Sequence, residues 1–204
     1  TPLLKQTNFF NMRLFKKKRI DVIEKFFQIN NSLILEIGTN KGDFSIVLLE
    51  KFKPKKLVLV DPWIAEKEKI YQSSWYGNFD EGGQKIQDSY YQSVKKKFGQ
   101  QINKKQVEIL RMKSSEAFKI LKNKFDLIYI DGNHLYNYVL EDLENSLNII
   151  NNNGLIVLDD FMNKGWWDDG VTKAVNHLKE SKKFKILHQH NFLNQHFQCI
   201  LKKI

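Results

Sequence analysis

Short runs dominated by β-branched residues and leucine recur along the chain, separated by segments whose apolar positions return every three or four residues. Leu33 to Ile37, Leu57 to Val60, Val107 to Leu110, Leu127 to Ile130 and Leu155 to Leu158 predict strands buried on both faces. Between them, Tyr136, Val139, Leu140, Leu143, Leu147 and Ile150 line one face of a helix, and Phe44 to Leu49 predicts another. Ile20, Val22, Ile23, Phe26 and Phe27 predict a helix within residues 1–30 that covers the first strand. Such alternation implies an α/β fold with a parallel sheet and crossover helices on both faces.

The tail breaks the pattern. Phe184 to His190 and Gln195 to Leu201 are strand-like runs joined by Asn191 to Asn194, a spacing for a hairpin rather than a crossover. The expected sheet is therefore mostly parallel with an antiparallel end. No repeat or low-complexity linker divides the chain, so residues 1–204 read as a single domain. One long irregular stretch, residues 62–82, carries Trp63, Tyr71, Trp75, Tyr76 and Phe79 and reads as a lid or a partner surface.

The 204 residues are 42% hydrophobic, enough for one core and too apolar for a disordered chain. Net charge is +10, yet only three of the 33 basic residues are arginines: Arg13, Arg19 and Arg111. Readers of phosphate and guanine favour the guanidinium fork, so this lysine excess, spread along the chain, reads first as a solvated exterior. A single cysteine, Cys199, forms no internal disulfide, and no apolar run reaches the roughly 18 residues that span a bilayer. The stretch through Lys18 lacks a secretion signal, and a cytoplasmic location is expected.

The first strand runs into Glu36-Ile37-Gly38-Thr39-Asn40-Lys41-Gly42-Asp43. Gly38 permits a sharp turn with close backbone approach, and Gly42 lets the following helix pack near the sheet. Asp61 ends the second strand 19 residues past Gly42, where a carboxylate accepts both hydroxyls of a ribose. Neither Gly-x-Gly-x-x-Gly nor Gly-Lys-Ser/Thr is present, so the pattern provides for a nucleoside rather than for a pyrophosphate or triphosphate.

The order Glu36-x-Gly38-x-x-x-Gly42, Asp61, Ser114-Ser115 and Asp131 resembles the class I S-adenosylmethionine-dependent methyltransferases. The terminal hairpin is similar to the end of their Rossmann-like seven-stranded sheet. The resemblance implies that Gly38, Thr39 and Asn40 lie near the methionine moiety of S-adenosylmethionine, that Asp61 holds the ribose, and that Pro62, Trp63, Ser114 and Ser115 surround the adenine. Two alternatives stay open: Trp63 as a core aromatic anchoring the lid, and Ser114 and Ser115 as caps of the next helix.

Two strands end in acid, at Asp131 and at Asp159-Asp160. Neighbouring parallel strands would bring the three together beside the cofactor, at about 4 kcal/mol of repulsion per pair at 4 Å with an effective dielectric near 20. A cation or protonation must relieve them. Hard oxygen ligands favour Mg, Mn or Ca, and such a divalent cation would hold a substrate hydroxyl and lower its pKa, which is a mechanism for O-methylation. His134 then accepts the hydroxyl proton. Asp131-Gly-x-His134-x-Tyr136, Asp142 and Gly154-x-x-x-x-Asp159-Asp160 resemble the small bacterial methyltransferases related to the macrocin O-methyltransferase group. Metal-dependent catechol and caffeoyl-CoA enzymes carry lysine where this chain has His134, which leaves a metal-independent enzyme with His134 as base as the alternative.

Asp168 and Asp169 read as helix caps, and Tyr136 and Asp142 as packing and surface residues. His188, His190 and His196 could meet across the hairpin, but no carboxylate or thiol is near to complete a zinc site. The expected partner is a small hydroxylated acceptor, a sugar or phenolic compound. Nucleic acid, a basic RNA-binding protein without catalysis included, is the disfavoured alternative, and a homodimer is left open.

Overall fold

The computed structural model describes residues 19–204 apart from 75, 78–82 and 193–195, with side chains at 190–197 also excluded. Trp75, Phe79, Arg13, the basic run Lys16 to Lys18, Leu193 and Asn194 of the expected Asn191 to Asn194 turn, Gln195 and the rings of His190 and His196 lie outside the described residues.

Helical residues 19–24 form α1. The chain continues through β1 (Leu33–Ile37), α2 (Asp43–Phe52), β2 (Lys56–Val60), α3 (Gly83–Lys97), α4 (Gly99–Asn103) and β3 (Val107–Leu110). It ends with α5 (Ser114–Ile120), β4 (Phe125–Ile130), α6 (Tyr136–Ile149), β5 (Ile150–Leu158), α7 (Gly170–Lys179), β6 (Phe184–Phe192) and β7 (His196–Lys203). The seven strands form one sheet in the order β3-β2-β1-β4-β5-β7-β6. β3, β2, β1, β4 and β5 are parallel, whereas β7 runs antiparallel to both β5 and β6.

Strict alternation along the strands makes two cores. Leu35, Ile37, Val58, Val60, Ile128, Ile130, Ile156 and Leu158 face α5, α6 and α7, meeting Ala117, Val139, Leu143, Val171 and Val175. The residues between them, including Ile34, Leu57, Leu59, Leu127, Tyr129 and Val157, face α1, α2 and α3 and meet Ile23, Phe44, Leu48 and Val94. The five parallel strands all end at one edge, and their ends carry the candidate chemistry.

Two departures from the sequence reading are local. α3 has no clear signature in the pattern, because its fifteen residues bury only Gln87 and Val94 and present a mostly polar surface. β5 starts at Ile150, earlier than Leu155, because Ile150 pairs with Phe125 ahead of an irregularity in the ladder with β4. Within residues 62–77, Trp63 and Tyr71 are buried and Lys69–Tyr71 forms a 3-10 turn, so this stretch is anchored at both points.

Candidate active site

The turn after β1 is fixed by backbone, not by side chains. Gly38 has φ +88, and a Cβ there would stand 2.0 Å from the carbonyl oxygen of Asp131. Only glycine allows the loops after β1 and β4 to touch at this point. Gly42, at φ +70, lies against the ring of Phe98 and fits the packing role expected of it. Thr39 is buried and its hydroxyl has no hydrogen-bond partner.

Asp61 is joined to that loop. Its Oδ2 accepts from the backbone N–H of Asn40 at 2.8 Å, and its Oδ1 from that of Trp63 at 2.7 Å. Each carboxylate oxygen keeps a second lone pair, so ribose hydroxyls remain acceptable partners. Burial raises the Asp61 pKa, opposed by the amides of Asn40, Trp63 and Thr39. Pro62 follows on the same edge, half-buried.

Trp63 does not surround a ligand. It is 0% exposed, adopts φ +45, and turns inward to pack on Tyr91. Its Nε1 donates to the carbonyl of Asn40 at 2.8 Å, so it braces the glycine turn from within. A ring without exposed surface cannot stack on adenine in this conformation, and the core-aromatic alternative is the one the geometry takes.

Ser114 and Ser115 open α5 as its first residues, after Lys113 at the cap position. Ser114 hydrogen-bonds Asp142, which the sequence reading placed at the surface. Asp142 is instead 2% exposed on the inner face of α6, and burial pushes its pKa up to about 7 against the Ser114 hydrogen bond. Tyr136 pairs with His177 at 2.8 Å. Asp169 caps α7 by position but without a side-chain cap bond, and Lys173 holds both Asp168 and Asp169.

The acidic trio is split. Asp159 continues the β5 ladder through its N–H to Ile130, so alternation sends its side chain to the α1 face. There Arg19 donates to its Oδ2. Arg19 also reaches Tyr129 at 3.4 Å and lies over the ring of Phe44 at 5.0 Å. Glu36 points to this same buried face; burial raises its pKa to about 8, while the hydroxyl of Ser45, which donates to it, works the other way. Its carboxyl lies buried beneath the loop, held by Ser45.

Asp160, in a left-handed turn at φ +55, faces the end of β4. His134 stands between the two remaining acids, with Nε2 3.4 Å from Asp131 and Nδ1 3.5 Å from Asp160. Nε2 is buried and not aligned for a hydrogen bond. Burial opposes a charge on the ring, but Asp131 and Asp160 outweigh it and raise the His134 pKa above the usual histidine value. Asp131, His134 and Asp160 offer one ligand atom each within 4.8 Å of one another, so the geometric cation set replaces Asp159 with His134.

Sequence reading missed Arg19, Trp166 and Trp167. Arg19 carried no motif and is 140 residues from its partner. Trp166 and Trp167 carry no motif either, yet Trp167 stands edge-on to His134 at 4.8 Å.

Solved structures share this arrangement of the chain. SMU.1697c from Streptococcus mutans, in complex with SAH, superposes with TM-score 0.62 at 16% identity over 91% of this chain and 97% of its own. An rRNA methylase from Streptococcus thermophilus gives 0.57 at 12% identity over 86% and 89%. The SAH-bound Podospora anserina methyltransferase PaMTH1 gives 0.57 at 16% over 85% and 72%. In sequence, the uncharacterized protein R132 of Acanthamoeba polyphaga mimivirus is 28% identical over 157 residues, 74% of this chain and 61% of that protein. Residues 35–161, which run from β1 past the second acidic strand end, match the model of the methyltransferase domain family, and the chain belongs to that family.

Proposed function

We propose that the protein methylates a hydroxyl group of a small ring-bearing acceptor, a sugar or phenolic compound, with S-adenosylmethionine as donor and His134 as general base. The observation that carries this reading is the placement of His134 between Asp131 and Asp160, across the Gly38 contact from the turn that Asp61 organises. When bound, S-adenosylmethionine supplies a methyl group on a sulfonium that leaves as a neutral thioether. SAH in structures of the same fold supports this cofactor. Gly38, Thr39 and Asn40 are the candidates to take the methionine end, the orphaned Thr39 hydroxyl among them, with Asp61 for the ribose. Pro62, Ser114 and Ser115 remain candidates for the adenine side.

His134 has a defined task. In the base reading Nδ1 keeps its proton toward Asp160, and Nε2, buried beside Asp131 in this conformation, takes the hydroxyl proton only once the surrounding loops uncover it, as the oxygen gains its methyl bond. Asp131 and Asp160 then stabilise the imidazolium. Neither carboxylate needs to change its protonation state.

A second reading places a divalent cation on Asp131, His134 and Asp160, favoured by the 4.8 Å convergence of their ligand atoms. The two readings exclude one another, since a metal-bound His134 is not a free base. Transfer of labelled methyl groups to catechol and to glucose decides the matter. The base reading expects activity that survives chelation and falls by about a hundredfold or more in His134→Gln. Loss of activity on chelation, restored by Mg or Mn, favours the cation. Because the fold also serves an rRNA methylase and this chain carries a net charge of +10, a transcript of ribosomal RNA completes the panel; transfer to it alone would overturn the small acceptor.

A further inference from the structure

Four aromatic rings, delivered by two different loops, stand on the outer side of the His134 cluster. Tyr71 and Tyr76 come from the chain after β2, and Trp166 and Trp167 from the chain after β5. Trp166 meets Tyr71 at 5.4 Å and both Tyr76 and Trp167 at 5.7 Å. Tyr71 is buried behind the others, its hydroxyl accepting from Asn133 Nδ2 at 2.9 Å. Tyr76, Trp166 and Trp167 are half-buried residues, so the cluster is a wall and not a closed core.

The charge beside this wall is negative. Asp131 and Asp160 flank His134, and Glu66, Asp61 and Asp131 act on the Tyr76 hydroxyl. Among the described residues, Arg19 is paired with Asp159, Arg111 with Asp88, and Lys173 with Asp168 and Asp169; of these only Arg19 also acts on Asp131 and Asp160, from the buried face. Lys67, Lys69 and Lys164 of the same loops are at exposed positions. Among the described residues of a chain with ten excess positive charges, the corner beside His134 is thus lined by rings and carboxylates.

Aromatic faces and carboxylates attract the same ligand, a cation on an apolar frame. The corner also holds two buried donors without partners, Trp167 Nε1 and Tyr76 OH, which call for an oxygen on that frame. We infer that the acceptor is a hydroxylated ring bearing a protonated amine, with its ammonium group held against Trp166, Tyr76 and the carboxylates. This inference rests on the methyl-transfer reading above and narrows its acceptor class.

The test uses the full chain saturated with SAH, with a chelator present so that no metal bridges the acids. Calorimetry compares dopamine with 4-methylcatechol and glucosamine with glucose, pairs that differ in the ammonium group. Each amine probe should bind at least tenfold more tightly than its neutral partner. In Trp166→Ala, and separately in Asp160→Asn, that gap should fall below threefold while SAH affinity is retained; the retained SAH binding also shows that each variant is folded. Equal or weaker binding of the amine probes by an SAH-loaded protein overturns the inference and leaves the methyl-transfer reading standing. A folded protein that does not bind SAH overturns the reading itself, and the inference with it.

Discussion

Arg19 donates to the Oδ2 of Asp159 across 140 residues of chain, with 13% and 4% of their side chains exposed. That ion pair removes one of three acids from the strand-end cluster and supplies, from inside the protein, a positive charge that also acts on Asp131 and Asp160. Electrostatics required a counter-charge for the acids, and for Asp159 a guanidinium provides it.

Breaking the pair should be costly. Arg19→Met leaves a buried, unpaired carboxylate at Asp159 and should destabilise the protein by about 3–5 kcal/mol. Adding Asp159→Asn should recover a large part of the loss, since the uncompensated charge is then gone. Urea denaturation of the two single variants and the double variant gives the coupling, and purely additive losses would show that the pair is not a unit.

The His134 pKa lies above its ordinary value near 6.5 because Asp131 and Asp160 favour the charged ring more than burial opposes it. A raised folded-state value means that the stabilisation is complete below about 6.5 and is lost as pH rises through the folded pKa. In Asp160→Asn the titration should move toward lower pH. Following the His134 ring proton by NMR with a chelator present checks both, and the alkaline-going limb of the methylation rate should move in the same direction.

Asp142 behaves in the opposite sense to a salt-bridged acid. Its carboxyl is pushed up to about 7, so the folded protein holds a proton that the unfolded chain releases near 4. Stability should fall as pH rises between those values, by on the order of 4 kcal/mol in total. Asp142→Asn should flatten this part of the pH profile and match or exceed the parent above pH 7. Thermal unfolding from pH 5 to pH 8 tests the prediction, and an unchanged slope would sink it.

Gly38→Ala places a Cβ 2.0 Å from the Asp131 carbonyl in a φ +88 backbone. Strain and overlap together should cost about 3 kcal/mol or more, and SAH binding should fall with the displaced turn. Gly99→Ala is the contrast, because a Cβ there meets nothing within 4 Å. It should leave both thermal midpoint and SAH affinity close to the parent values.

Local pattern reaches far in this chain. Strands of the sheet, the turn at Gly38 and the acid at Asp61 are legible because each depends on a few consecutive residues: apolar runs that need burial on two faces, a glycine where the backbone must turn, a carboxylate at a strand end. Asp131 and Asp160 are legible for the same reason. α3 is less so, since its surface-facing residues carry little hydrophobic period.

What followed from the third dimension is the direction and partner of each side chain at that edge. Asp159 and Asp160 part because Asp159 keeps the β5 ladder while Asp160 turns into a left-handed backbone, and only the arrival of α1 gives Asp159 its arginine. Trp63 turns into the core because its left-handed backbone and the carbonyl of Asn40 hold it there. The ring wall beside His134 joins loops some ninety residues apart, and contacts at that separation leave no periodic trace along the chain. Sequence set which groups the strand ends carry; packing against distant elements decided which of them meet.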